Sequence, residues 1–173
     1  MTRLSLPQLL QPDLVAPGTL AELPLERLLE RGVAALVLDV DRTLLPRHGN
    51  ELPAPMEAWL RQAKAQMPVH LFSNNPSRSR IGGVAEQLGV SFTSSASKPR
   101  RAPLRRVLAD LALPPAQVAI VGDRVFTDVL GGNRLGLFTV LVKPLNADGQ
   151  PCRHDHWQRL EVRLARLAGA PLT

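Results

Sequence analysis

"ALVLDVDRTLLP" occupies residues 35–46 and sets a run of apolar residues against two aspartates one residue apart. Ala35, Leu36, Val37 and Leu38 form the kind of run that a buried strand carries. Asp39 and Asp41 end it abruptly. Two close carboxylates repel one another and are costly to desolvate, so a buried strand that ends this way needs something for its acids to hold.

Outward from this run, strand-like segments alternate with helical patterns for most of the chain. Strands are expected at 34–39, 68–73, 90–93, 117–122 and 138–142, with helices near 55–66, 77–88, 101–111 and 126–135. The helix at 77–88 is well punctuated: Pro76 or Ser77 can begin it, and Gly89 stands where a left-handed cap is wanted. Such alternation builds βαβ units with right-handed crossovers and a sheet covered on both faces. The expected fold is α/β, a Rossmann-like three-layer α/β/α sandwich around a mostly parallel five-stranded sheet. Residues 1–33 read as a leader with a short helix packing on the core, 34–147 as the core, and 148–173 as a helical tail.

The 173 residues suffice for one domain with a sizeable core. Aromatic residues make up 3% of the chain and Tyr is absent, so the core must be aliphatic. Few platforms remain for stacking bases, which argues against nucleic acid as a partner. The net charge of +6, carried mostly by arginine, attracts anions. Cys152 is the single cysteine, so no intrachain disulfide can form. Pro7, Pro12 and Pro17 interrupt the N-terminus, which lacks the apolar core of a signal peptide, and no stretch is long enough to span a bilayer. The expected location is cytoplasmic, with a peripheral place at the inner face of a membrane left open.

In an open parallel sheet, ligands bind beyond the carboxyl ends of the strands, where the strand order reverses. Asp39 and Asp41 lie there on the first expected strand. In "IVGDRVFTDVLGGNRLG" (120–136), Asp123 takes the same place on the fourth, with Asp128 five residues on. Carboxylates gathered in one crevice repel unless a cation joins them, and an all-oxygen set suits Mg²⁺ better than Zn²⁺. "LFSNN" (71–75) puts Ser73, Asn74 and Asn75 after the second strand, and "SASKPRR" (95–101) puts Lys98 after the third. A carboxylate nucleophile, a second carboxyl group, hydroxyl and amide donors, a fixed cation and a metal site are together the inventory of phosphoryl transfer.

The order DxDxT, SNN, KP, GDxxxTD resembles that of the haloacid dehalogenase (HAD) superfamily of phosphohydrolases. Within it, "LDVDRTLLP", "FSNN", "SKP" and "VGDRVFTDVLGGNRLGLFTVLVKPL" resemble the YqeG-like group related to phosphatidylglycerophosphate phosphatases, a capless group of subclass IIIA. The resemblance implies a Mg²⁺-dependent phosphomonoester hydrolase in which Asp39 attacks phosphorus and forms an aspartyl-phosphate. By the same resemblance, Asp41 trades the protons. Ser73, Thr43, Asn74, Asn75 and nearby backbone N–H groups hold the phosphate, and Lys98 neutralises charge. It also makes Asp39, Asp123 and the backbone carbonyl of Asp41 the metal ligands, with Asp128 behind them, and it points to phosphatidylglycerophosphate as substrate. Arg42 departs from the Gly or Asn common at its position, and either reaches a substrate phosphate or turns to solvent.

Thr43 to Met56 is a short loop, and Ser73 to Lys98 has room for one helix and one strand, so no cap domain fits. An open site favours a large substrate: a protein, a nucleic acid, or a phosphate borne by lipid. The tail carries Trp157, Leu160, Leu164 and Leu167 at helical spacing with Arg159, Arg163 and Arg166 between them. Such a helix can lie on anionic lipid; the expectation here is that its apolar face docks on the domain. The run from Lys98 through Arg100, Arg101, Arg105 and Arg106 reads as a solvated helix face apart from Lys98. Gly131, Gly132 and Gly136 read as close-packing or capping positions. His48, His70, His154 and His156 share no metal spacing with the acids. Two other functions stay open: a receiver-like phospho-acceptor module, and a non-catalytic scaffold that binds anionic partners. The oligomeric state is not set by the sequence.

Overall fold

The computed structural model describes residues 4–49, 51–152 and 154–172. In chain order the N-terminal elements are α1 (Leu6–Leu10), β1 (Leu14–Val15), α2 (Leu25–Glu30) and β2 (Ala35–Leu38). The middle of the chain forms α3 (Ala54–Gln66), β3 (Val69–Phe72), α4 (Arg78–Leu88), β4 (Ser91–Thr93) and α5 (Arg101–Leu111). Then follow β5 (Val118–Gly122), a π-helical turn (Val125–Val129), α6 (Leu130–Asn133), β6 (Phe138–Leu141) and α7 (His156–Leu167).

All the strands pair in parallel, in the order β1-β6-β5-β2-β3-β4. The chain runs outward from β2 through β3 to β4, then returns to lay β5 on the other side of β2. The order therefore reverses between β2 and β5, and the crevice opens at their carboxyl ends. Every residue of β2 is buried, because both faces of the sheet are covered. Leu36 and Leu38, with Ala119 and Val121 of β5, pack under α2, α3 and α4. Ala35, Val37, Val118 and Ile120 pack under α5 through Leu104 and Val107. A third cluster joins Leu10 of α1, Val125 and Val129 of the π turn, and Ala165 of α7.

Three expectations change. The sheet has six strands rather than five. The sixth, β1, is two residues long, and its place is fixed by Asp13, whose carboxylate accepts from the Thr139 N–H (2.7 Å) and hydroxyl (3.0 Å) at the β6 edge. The helix expected at 126–135 opens as a π turn, in which the Val129 N–H donates to the Arg124 carbonyl, five residues back. The third change concerns α7. It does not dock through its leucines: Trp157, Leu160, Leu164 and Leu167 are 63%, 46%, 45% and 77% exposed, while Glu161 and Ala165 are buried. Glu161 wins the inward face because it satisfies main-chain donors there, as described below.

The expected punctuation holds elsewhere. Ser77 caps α4 by accepting from the Arg80 N–H, and Gly89 ends it in the left-handed region at φ 61°. At Gly132 a Cβ would lie 2.4 Å from Ile120 Cγ2 and 2.6 Å from Thr139 Cγ2, so only glycine lets α6 approach the sheet this closely. Arg101, Arg105 and Arg106 are exposed along α5.

Candidate active site

Asp39 follows β2 directly, Ser73 follows β3, and Asp123 follows β5, so the sheet delivers all three to one edge. Lys98 reaches the same place from the loop between β4 and α5. Its Nζ lies 2.5 Å from Asp39 Oδ1 and 2.6 Å from Asp128 Oδ1, with all three side chains buried. Asn74 fixes the lysine's backbone, accepting from the Lys98 N–H at 2.7 Å and donating to its carbonyl at 3.3 Å. Asp128 spends its other oxygen on the Arg124 N–H and the Thr127 hydroxyl, each at 3.2 Å. Gly122 makes room for it: a Cβ there would fall 2.2 Å from Asp128 Cγ.

Asp39, Asp123 and Asp128 each offer a carboxylate oxygen, and the three oxygens lie within 4.8 Å of one another. Lys98 supplies one positive charge against three carboxylates, so the cluster is short of cation. Burial raises the Asp39 carboxyl to about 6, with the Lys98 charge opposing and the Asp128 charge adding. Burial, then Asp39 and Asp128, push Asp123 well above the usual carboxylate range. Burial works against the charge on Lys98, yet Asp128 and Asp39 outweigh it and hold the ammonium firmly protonated. Asp123 Oδ2 is buried and has no hydrogen-bond partner among the described residues. An orphaned carboxylate oxygen in such a cluster is the signature of a cation site, and an all-oxygen donor set fits a hard divalent ion.

Asp41 belongs to a second set of contacts. Its Oδ2 accepts from Ser73 Oγ (3.3 Å) and Asn75 Nδ2 (3.1 Å), and its Oδ1 pairs with Arg80 Nη1 at 2.5 Å. Arg80 also donates to the carbonyls of Pro46 and Gly49, tying the loop after β2 to the first turn of α4. Thr43 is fully buried, and its hydroxyl closes no hydrogen bond among the described residues.

Arg42 does not turn to solvent: its side chain lines the cavity. Held at φ 69°, it forms an ion pair with Asp155, the residue that caps α7. Gln158 Nε2 donates to the Asp123 carbonyl (2.7 Å) and the Val142 carbonyl (2.8 Å). Glu161 accepts from the Val125 N–H at 2.8 Å and pairs with Arg124. The tail helix is thus built into the wall of the site. Arg80, Asp155, Gln158 and Glu161 all escaped the sequence reading. For Arg80 a signal existed, because a long cation in the first turn after a strand end faces the crevice. For the α7 residues there was none, since their partners are mostly main-chain groups distant in sequence.

The groups surround an open cavity of about 700 Å³ lined by both acid sets, Lys98, Arg124 and, at its rim, Trp157. No helix of the described residues is long and apolar enough to cross a membrane.

Residues 95–158 match the family model described as HAD-hydrolase-like. The probable phosphatase YqeG of Bacillus subtilis is 36% identical over 127 residues, which cover 72% of this chain and 73% of that protein. Phosphatidylglycerophosphate phosphatase 1, chloroplastic/mitochondrial, of Arabidopsis thaliana is 26% identical over 150 residues, 82% of this chain but 43% of that protein. Among solved structures, a HAD-like phosphatase from Mesorhizobium loti shares the fold at a TM-score of 0.53 and 21% identity, over 79% of this chain and 87% of that one. The family match, the YqeG relative and the acid cluster at the switch point of a parallel sheet together make this chain a hydrolase of the HAD type. Within that superfamily the chain belongs to the YqeG phosphatase family, and it is a phosphatase.

Proposed function

We propose that the chain is a Mg²⁺-dependent phosphomonoester hydrolase that works through an aspartyl-phosphate, with phosphatidylglycerophosphate as the leading substrate. The observation that carries this reading is the convergence of Asp39, Asp123 and Asp128, two of them bonded to Lys98, with an Asp123 oxygen left without a partner among the described residues. Asp39, Asp123 and the Asp41 carbonyl would hold Mg²⁺, with Asp128 in support. When bound, the ion would neutralise charge on the carboxylates and the phosphoryl oxygens.

In the first half-reaction, an Asp39 carboxylate oxygen bonds to phosphorus as the bond from phosphorus to the leaving oxygen breaks. Asp41, two residues on, delivers a proton to that oxygen. In the second half, a water oxygen attacks phosphorus, the bond to Asp39 breaks, and Asp41 takes the water's proton. One difficult displacement becomes two easier ones. Lys98 holds Asp39 in place throughout and offsets charge on the phosphoryl group, which Ser73, Thr43, Asn74, Asn75 and the backbone N–H groups beside them help to seat. The lipid substrate is supported by the Arabidopsis relative's name and by the open, cap-free cavity.

The test is phosphate release with and without Mg²⁺ from p-nitrophenyl phosphate, phosphatidylglycerophosphate, sugar phosphates and nucleotides. Release should require Mg²⁺, and Asp39→Asn should lower it by on the order of a thousandfold or more while the fold persists. Turnover by that variant would sink the covalent mechanism. Accumulation of a phosphoprotein that never turns over would favour the receiver-like alternative.

A further inference from the structure

Around α7 the side chains fall into sectors. Gln158, Glu161 and Ala165 face the domain. Arg159, Arg163 and Arg166 form a second row, at spacings of four and three. Trp157, Leu160, Leu164 and Leu167, at spacings of three, four and three, form an exposed apolar stripe between them. The acids that α7 and its cap carry, Asp155 and Glu161, are buried and paired with Arg42 and Arg124, so the outward side of the helix presents apolar and basic groups and the exposed His156. Arg166 also donates from Nε to the Leu172 carbonyl at 2.7 Å. Pro7 of α1 packs against Gly169 just past the end of α7, which brings exposed Leu4 and Leu6 to the same end.

We infer that this face of α7 docks on an anionic lipid bilayer, with the stripe entering the headgroup boundary and the arginines meeting acidic headgroups. A helix with Trp and Leu on one sector and arginines on the next is the pattern that seats at a bilayer surface. A second copy of the chain fits less well. Four side chains along about 15 Å of helix fall well short of the roughly 800 Å² per partner that a stable protein interface buries. The stripe is also continuous with the catalytic cavity, since Trp157 belongs to both. A bilayer contacted there meets the rim of the site, so a phosphomonoester on a lipid headgroup enters without leaving the membrane. This last step rests on the lipid-phosphatase reading above; the docking surface does not.

The experiment uses the full chain and vesicles of phosphatidylcholine alone or mixed with phosphatidylglycerol, by flotation and by tryptophan fluorescence. The second tryptophan, Trp59, is buried with its Nε1 donating to the Leu23 carbonyl at 2.7 Å, so a change in emission reports Trp157. The chain should float with the anionic vesicles, its emission should shift to the blue, and added salt should weaken both effects. Leu164→Gln with Leu167→Gln should lower the bound fraction about tenfold or more, given what burying two leucines is worth. Arg163→Glu should weaken binding to anionic vesicles, and every variant should retain the wild-type thermal midpoint and hydrolysis of p-nitrophenyl phosphate. Absence of vesicle binding overturns the inference. So does concentration-dependent self-association that the leucine substitutions abolish while vesicles have no effect. Binding is read without turnover, so failure to bind leaves the phosphatase reading intact, and binding without phosphate release overturns only that reading.

Discussion

His70 lies buried in mid-β3, with Ser91 Oγ 2.7 Å from Nδ1 and Thr93 Oγ1 2.9 Å from Nε2. Burial lowers its pKa to about 4, against a weaker upward pull from Asp110. Below pH 6.5 the unfolded chain takes up a proton at this site that the folded chain refuses, so stability is lost as the pH falls from about 6.5 toward 4. His70→Gln removes that contribution. Its urea midpoint should fall less than the wild type's between neutral pH and pH about 4.5, and an equal fall would show that His70 is not the acid-sensitive group. Asp39 titrates in the opposite sense over part of the same range, but it is common to both proteins and cancels in the difference.

At the scale of elements, α7 is held by two kinds of contact at one carboxylate, and their relative weight can be measured. Glu161 accepts from the buried Val125 N–H, and it pairs with Arg124, whose side chain is 35% exposed. A buried donor left without an acceptor loses more than a half-wet ion pair does. Glu161→Ala should therefore cost about 2–3 kcal/mol in chemical denaturation, whereas Glu161→Gln, which keeps an acceptor oxygen, should cost about 1 kcal/mol or less. Equal losses would put the weight on the ion pair. This element also marks where the sequence stops being legible. Ala35–Leu38 announced a strand buried on both sides, and Asp39, Ser73 and Asp123 were readable because each stands directly after a strand. Lys98 was readable because its loop follows a strand that the helical punctuation had already fixed. Which sector of α7 turns inward depends on the Val125 N–H of the π turn and on the carbonyls of Asp123 and Val142 just past β5 and β6, and no periodicity in 156–167 encodes them. β1 stayed hidden for a related reason: two residues carry no pattern, and the clamp that fixes them joins Asp13 to Thr139, 126 residues further along.

For the whole molecule, the acid cluster opposes the fold that gathers it. Asp39 and Asp123 both bind protons more tightly folded than unfolded, because burial and mutual repulsion penalise their charged forms. The sign follows from linkage: without a bound cation the fold loses stability as the pH rises from near 4 through about 6, where Asp39 ionises, and further still as Asp123 does. A divalent cation held there would replace those protons, and protons would compete with it at low pH. Saturating Mg²⁺ should therefore raise the thermal midpoint much more at pH about 7.5 than at pH about 5, by an amount equivalent to about 2.7 kcal/mol when its concentration is a hundred times the dissociation constant. Asp123→Asn should abolish most of that gain and, by removing one of three crowded carboxylates, should stabilise the cation-free protein at neutral pH. The two effects have opposite signs in one variant, which separates loss of a ligand from damage to the fold. A midpoint gain that is equal at both pH values, or that survives in Asp123→Asn, would place the cation elsewhere.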